Sequence, residues 1–151
     1  MTLRPMKSKI FTLAEAEAVL EQVVKPGIER IAARIAAAEG LQTDIEVAQL
    51  VASTGASPSN PDRAQLGSLE IRHQQTLTEI RQEVEAIHAT GGLLKDARSG
   101  LVDFFSILDG KLVFLCWKRG EDRIRYWHTV EDGFRGRRPL GARLPRQESQ
   151  E

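Results

Sequence analysis

Seven of the eight aromatic side chains, Phe104, Phe105, Phe114, Trp117, Tyr126, Trp127 and Phe134, lie between positions 104 and 134, and Phe11 stands alone outside that stretch. Residues 12–92 are instead rich in Ala, Glu, Leu, Ile and Gln at helical spacing, so helix formers give way to strand formers near Gly91 and Gly92. This partition predicts an α+β protein: a helical part followed by an antiparallel sheet. A chain of 151 residues is long enough to bury one core without disulfide or metal staples, so residues 1–151 are expected to form a single domain.

Within the helical part, Thr12-Leu13-Ala14-Glu15 has the form of a capping box, in which the hydroxyl accepts from the Glu15 amide and the carboxylate reaches back. Leu13, Ala16, Leu20, Val24, Ile28, Ile31 and Ile35 then recur every three or four residues and build one apolar stripe. Pro26 lacks the N–H that would bond four residues back, so a kink is expected there, and Gly40 is a plausible stop. Thr43-Asp44-Ile45-Glu46 repeats the capping box and predicts a separate short helix at 43–53, followed by a flexible loop over 53–61. A further helix is expected from Asp62, with Leu66, Leu69, His73, Leu77, Ile80, Val84 and Ile87 on one face and Gly91-Gly92 as its end. Two long helices with narrow stripes, spanning 11–92, suggest a coiled-coil-like antiparallel hairpin.

From Gly100 the pattern is extended. Strands are predicted at 101–108, 111–118 and 123–129, the first two joined by Asp109-Gly110, a favoured two-residue hairpin pair. The whole expectation is a long antiparallel helical hairpin packed on a three-stranded β-meander at 100–140, with 141–151 a disordered tail. A tight second turn at 119–122 sets Lys118 opposite Arg123. Cys116 then faces Arg125, and His128 falls on the other sheet face; a one-residue bulge reverses this and unites cysteine with histidine.

Lysine and arginine total 21, as do aspartate and glutamate, so the chain lacks the basic excess of many nucleic-acid binders. The terminal arginines 135, 137, 138, 143 and 146 are the one basic run, yet residues 100–151 hold ten basic and eight acidic side chains, which makes nucleic acid an unlikely partner. No apolar stretch has the length of a membrane span, and a single Cys116 fits a reducing compartment, so a cytoplasmic protein is expected.

The runs Gly100-Leu101-Val102-Asp103-Phe104, Leu115-Cys116-Trp117, Gly120-Glu121, Trp127-His128 and Gly133-Phe134-Arg135-Gly136-Arg137 resemble the C-terminal signature of the bacterial domain-of-unknown-function 2203 family. Phe11-Thr12-Leu13-Ala14-Glu15-Ala16 is similar to that family's opening. The resemblance implies a small cytoplasmic bacterial protein and supplies no mechanism.

Cys116, His128, Glu121 and Asp103 are the ligand types of a zinc or iron site, and Cys116 with His128 as base is the neighbouring thiol chemistry. No two-cysteine knuckle or His-Glu-x-x-His helix is present, so no metal is assigned. Trp117 and Trp127, with Tyr126, Lys118, Arg123 and Arg125, outline a platform for a flat ligand. Cys116, Trp117, Glu121, Trp127, His128 and Arg137 are therefore the candidate ligand-binding residues, and no catalytic residue is named. The leading reading is a non-catalytic interaction module whose helices mediate self-association or bind a protein partner. A small metal- or thiol-dependent enzyme centred on Cys116 and His128, or nucleic-acid or ribosome association through the arginines, are the alternatives.

Overall fold

The computed structural model describes residues 9–55, 57 and 59–141. It is α+β, as the partition of residue types predicts. Within it, Arg30–Glu83 forms one compact unit, and the described residues up to Glu29 and from Val84 onward form the other. No helix among the described residues is long and apolar enough to cross a membrane.

The first helix begins as expected. The Thr12 hydroxyl accepts from the Glu15 N–H at 3.1 Å, and Glu15 accepts from the Thr12 N–H at 3.0 Å. Helix α1 (Leu13–Val19) passes through a π-helical turn (Leu20–Val24) into α2 (Lys25–Ser53). At that turn the Lys25 N–H bonds back five residues to the Leu20 carbonyl, immediately before Pro26. A wider turn at this point lets the helix continue past a residue that has no N–H of its own to give. The expected stop at Gly40 and the separate helix at 43–53 are both corrected: α2 runs unbroken through them. Gly40 does not take the left-handed conformation of a helix-ending glycine. The Thr43 hydroxyl donates to the Glu39 carbonyl at 3.2 Å, so it bonds back along a continuing helix and starts no new one.

After residues 54–60, α3 (Pro61–Ala64) and α4 (Leu66–Ala89) follow, and Gly91, with φ of 96°, lies just beyond the end of α4. In the unit of residues 30–83, Leu41, Ile45, Ala48 and Leu69 form a small buried cluster. Arg30 pairs with Glu83 and Arg34 with Glu79, each at 3.0 Å, so residue numbers on the two helices run in opposite directions.

The sheet has five strands, not three. Strands β1 (Leu93–Asp96), β2 (Leu101–Leu108), β3 (Lys111–Lys118), β4 (Tyr126–Thr129) and β5 (Arg138–Pro139) are ordered as in the chain, each antiparallel to the next. The two edge strands escape a reading by alternation because they are only four and two residues long. Asp109 (φ 51°) and Gly110 (φ 76°) both adopt positive φ, as a two-residue hairpin of this kind requires, and β2 and β3 have the predicted bounds. One sheet face carries Val102, Phe104, Ser106, Val113, Leu115 and Trp117. The Phe11 ring meets Phe104 edge-on at 5.2 Å, while the Ser106 hydroxyl donates to the Phe11 carbonyl at 2.6 Å. Ala16, Leu20, Val24, Ile28 and Ile87 are buried in the same unit. The predicted tail begins at Gly141, and residues 142–151, including Arg143 and Arg146, lie outside the described residues.

Candidate functional site: a buried Asp-Cys-His cluster

The opposite face of the sheet carries the chemistry. The two-residue turn at Asp109-Gly110 pairs Asp103 with Cys116, and Phe105 with Phe114. On the other side of β3, Cys116 pairs with Tyr126, and Phe114 with His128. Directly opposed residues project to the same face, so Asp103, Cys116 and His128 share one. This corrects the expected register of the second hairpin by one residue. Strand β4 starts at Tyr126 rather than Arg123, and the connection from 119 to 125 is correspondingly longer. Gly120 turns the chain at φ 101°, and the Lys118 N–H goes to the Glu121 carboxylate at 2.6 Å. A tight turn with Lys118 opposite Arg123 is thereby replaced.

The consequence is a compact cluster. One ligand-type atom each from Asp103, Cys116 and His128 lies within 4.8 Å of the others, and all three residues are buried. His128 Nδ1 is 2.8 Å from the Thr129 carbonyl, which can only accept, so Nδ1 carries a hydrogen and Nε2 is the nitrogen aimed inward. Nε2 lies 3.1 Å from Asp103 Oδ2, a contact that needs a hydrogen on one of the two atoms. Asp103 Oδ1 is buried and makes no hydrogen bond, a defect that typically costs about 1–3 kcal/mol. Burial first, and then the neighbouring Asp103 charge, push the Cys116 thiol up to about 12, so in this setting it keeps its proton. Phe114 lines the cluster, with its ring 5.2 Å from that of His128 and 4.5 Å from that of Phe105.

Glu121 and Arg137 do not join the three but flank Cys116. The Arg137 Nη2 donates to Glu121 Oε1 at 2.6 Å and to the Cys116 carbonyl at 3.2 Å. Its guanidinium lies over Tyr126 at 4.0 Å and over Phe134 at 4.7 Å, which lays the segment 134–137 along this face. Trp117 is buried on the other face, with its indole N–H donated to the Glu121 carbonyl at 2.9 Å. Trp127 opposes Leu115 on that same face, half-buried, with Arg138 over its ring at 5.3 Å. Tyr126 projects to the opposite face from both tryptophans. The Arg125 guanidinium is held by Asp122 at 2.9 and 3.0 Å, and the Lys118 ammonium stands 5.2 Å over Phe134. The aromatic platform is therefore divided between two faces.

Of the six candidate residues, Cys116 and His128 meet, and the acid that meets them is Asp103, not Glu121. The sequence held the signal for this. Asp109-Gly110 sets the β2–β3 register, and that register alone places Asp103 beside Cys116. No simple turn rule placed His128, because the connection before β4 is irregular.

Neither the curated proteins nor the solved structures contain a match to this chain. The family model described as Uncharacterized conserved protein (DUF2203) matches residues 9–140, a span that includes helices α1 to α4, the sheet and the cluster. The chain therefore belongs to the DUF2203 family.

Proposed function

We propose that the protein binds a single divalent transition metal through the Asp103 carboxylate, the Cys116 thiolate and His128 Nε2. The observation that carries this reading is the convergence of three different ligand atoms, from three adjacent strands, within 4.8 Å at a buried place. Around tetrahedral zinc, ligand atoms stand about 3.3–3.8 Å apart, so the side chains need close by only about an ångström. The unbonded Asp103 Oδ1 gains a partner when a cation or its bound water arrives. The hydrogen between Nε2 and Oδ2 and the thiol hydrogen of Cys116 leave as protons to solvent when the metal binds, and the Nδ1 bond to the Thr129 carbonyl holds the ring as ligating imidazoles are commonly held. One thiolate, one imidazole and one carboxylate suit zinc, and iron is the next choice.

The thiol-enzyme alternative has less support. The Cys116 thiol is raised rather than lowered, and both His128 nitrogens already have partners other than sulfur. The interaction-module reading loses the tryptophan platform, since Trp117 is buried and its N–H is satisfied. It retains the exposed Val47, Leu50 and Ile71 of the helical unit.

Thermal unfolding with and without zinc tests the proposal. A metal that binds the folded chain alone stabilises it by about 2.7 kcal/mol at a hundredfold excess over Kd, which raises Tm by several degrees. The rise is expected in the parent chain and lost in Asp103→Ala, Cys116→Ser and His128→Ala. An equal rise in all four, or none in the parent, contradicts it.

A further inference from the structure

The cluster exists only in one register of the β3–β4 pair. A slip by a single residue would carry His128 to the face of Trp117 and leave Asp103 and Cys116 without a nitrogen. The last β3–β4 rung joins Cys116 to Tyr126, and beyond it Lys118, paired with Leu101 of β2, has no partner on the β4 side. Its N–H is taken by the Glu121 carboxylate at 2.6 Å, and the same oxygen receives the Arg137 guanidinium at 2.6 Å. Arg137 then bonds the carbonyl of Cys116 itself, at 3.2 Å. Only about one to two tenths of this ion pair's two side chains remain accessible, 12% for Arg137 and 21% for Glu121, so water competes weakly for it. Its geometry is thus fastened at both ends to the backbone that carries the cysteine.

Building on the metal reading, we infer that Glu121 and Arg137 are positioning residues for that site: they stop the ladder at Cys116, hold the register that brings His128 to it, and fix the direction of the thiolate. Neither residue contributes a ligand atom. The guanidinium lies over the rings of both Tyr126 and Phe134 and so ties the segment 134–137 to the hairpin, and the clamp draws on three separate parts of the chain. A lysine at 137 keeps the charge but lacks the planar guanidinium that lies over the Tyr126 and Phe134 rings while its Nη2 reaches the two oxygens.

Cobalt(II) is the probe, because thiolate ligation gives it a charge-transfer band and its visible bands report coordination geometry. The full chain is titrated with cobalt beside Glu121→Gln, Arg137→Gln, Arg137→Lys and His128→Ala, with folding checked by circular dichroism. Parental binding with a thiolate band is expected. Glu121→Gln and Arg137→Gln should bind about 10–100-fold more weakly with shifted visible bands, Arg137→Lys should recover part of the affinity, and His128→Ala should lose the site. Should Arg137→Gln fail to fold, Glu121→Gln and Arg137→Lys carry the same test. Parental affinity and spectrum in the folded variants would overturn the positioning role and leave the metal reading intact. An absence of thiolate-bound cobalt in the parent would overturn both.

Discussion

The two compact units solve burial differently. The unit of residues 30–83 holds a small buried cluster, Leu41, Ile45, Ala48 and Leu69, and leaves Leu50 at 68% and Ile71 at 61% exposure. The sheet-bearing unit buries both faces of β3, from Val113 to Trp117 without a break. It also buries three polar side chains, Asp103, Ser106 and His128. Ser106 is matched by the Phe11 carbonyl, whereas Asp103 keeps an oxygen unbonded. Thin cores supported by exposed ion pairs tolerate change, and well-packed sheets do not. A deep core that retains an incompletely paired polar cluster is therefore the place where function is expected to reside.

The largest expected effect breaks the comparison on the sheet side. Phe104→Ala removes a fully buried ring packed on Phe11 and should cost about 3–5 kcal/mol in urea unfolding, while Leu50→Ala should change stability by under about 0.5 kcal/mol. Similar losses for the two would show that the helical unit is not the more permissive one.

A smaller effect is expected at the entry to the sheet-bearing unit. Thr12→Ala removes the hydroxyl of the capping box and should cost about 1 kcal/mol. Bonding to the Thr12 N–H is the main cause holding the Glu15 carboxyl below its ordinary 4.5. A lowered folded value means that the Glu15 contribution is complete above the ordinary range and fades as pH falls through the lowered one. Stability measured between pH 7 and 3 should show this loss in the parent and less of it in Glu15→Gln. Identical profiles would remove the box from the account.

How much of this could be read from residues alone follows the same division. The capping box at Thr12, the break at Gly91-Gly92, and the bounds of β2 and β3 were legible because each rests on local chemistry: a hydroxyl and a carboxylate three apart, glycines, an Asp-Gly turn. Gly40 and Thr43 misled because a helix stop and a helix start are only propensities, and a continuing helix satisfies both residues at little cost. The second hairpin was legible only as two alternatives. Its register depends on the Glu121 carboxylate capping Lys118 and on Arg137 reaching back from sixteen residues away, contacts that no periodicity encodes. The family resemblance, legible at the first helix and in the C-terminal strands, is met by a family model over residues 9–140, yet it carries no chemistry. The site emerged only when the strands were paired.

The most direct test is elemental analysis of untagged protein purified without chelator, beside Asp103→Ala, Cys116→Ser and His128→Ala. The account predicts about one zinc or iron per chain in the parent and a loss in each variant, because each removes one of three ligands. Metal-free parent protein that also takes up no added zinc, or metal that persists in all three variants, would contradict the central claim.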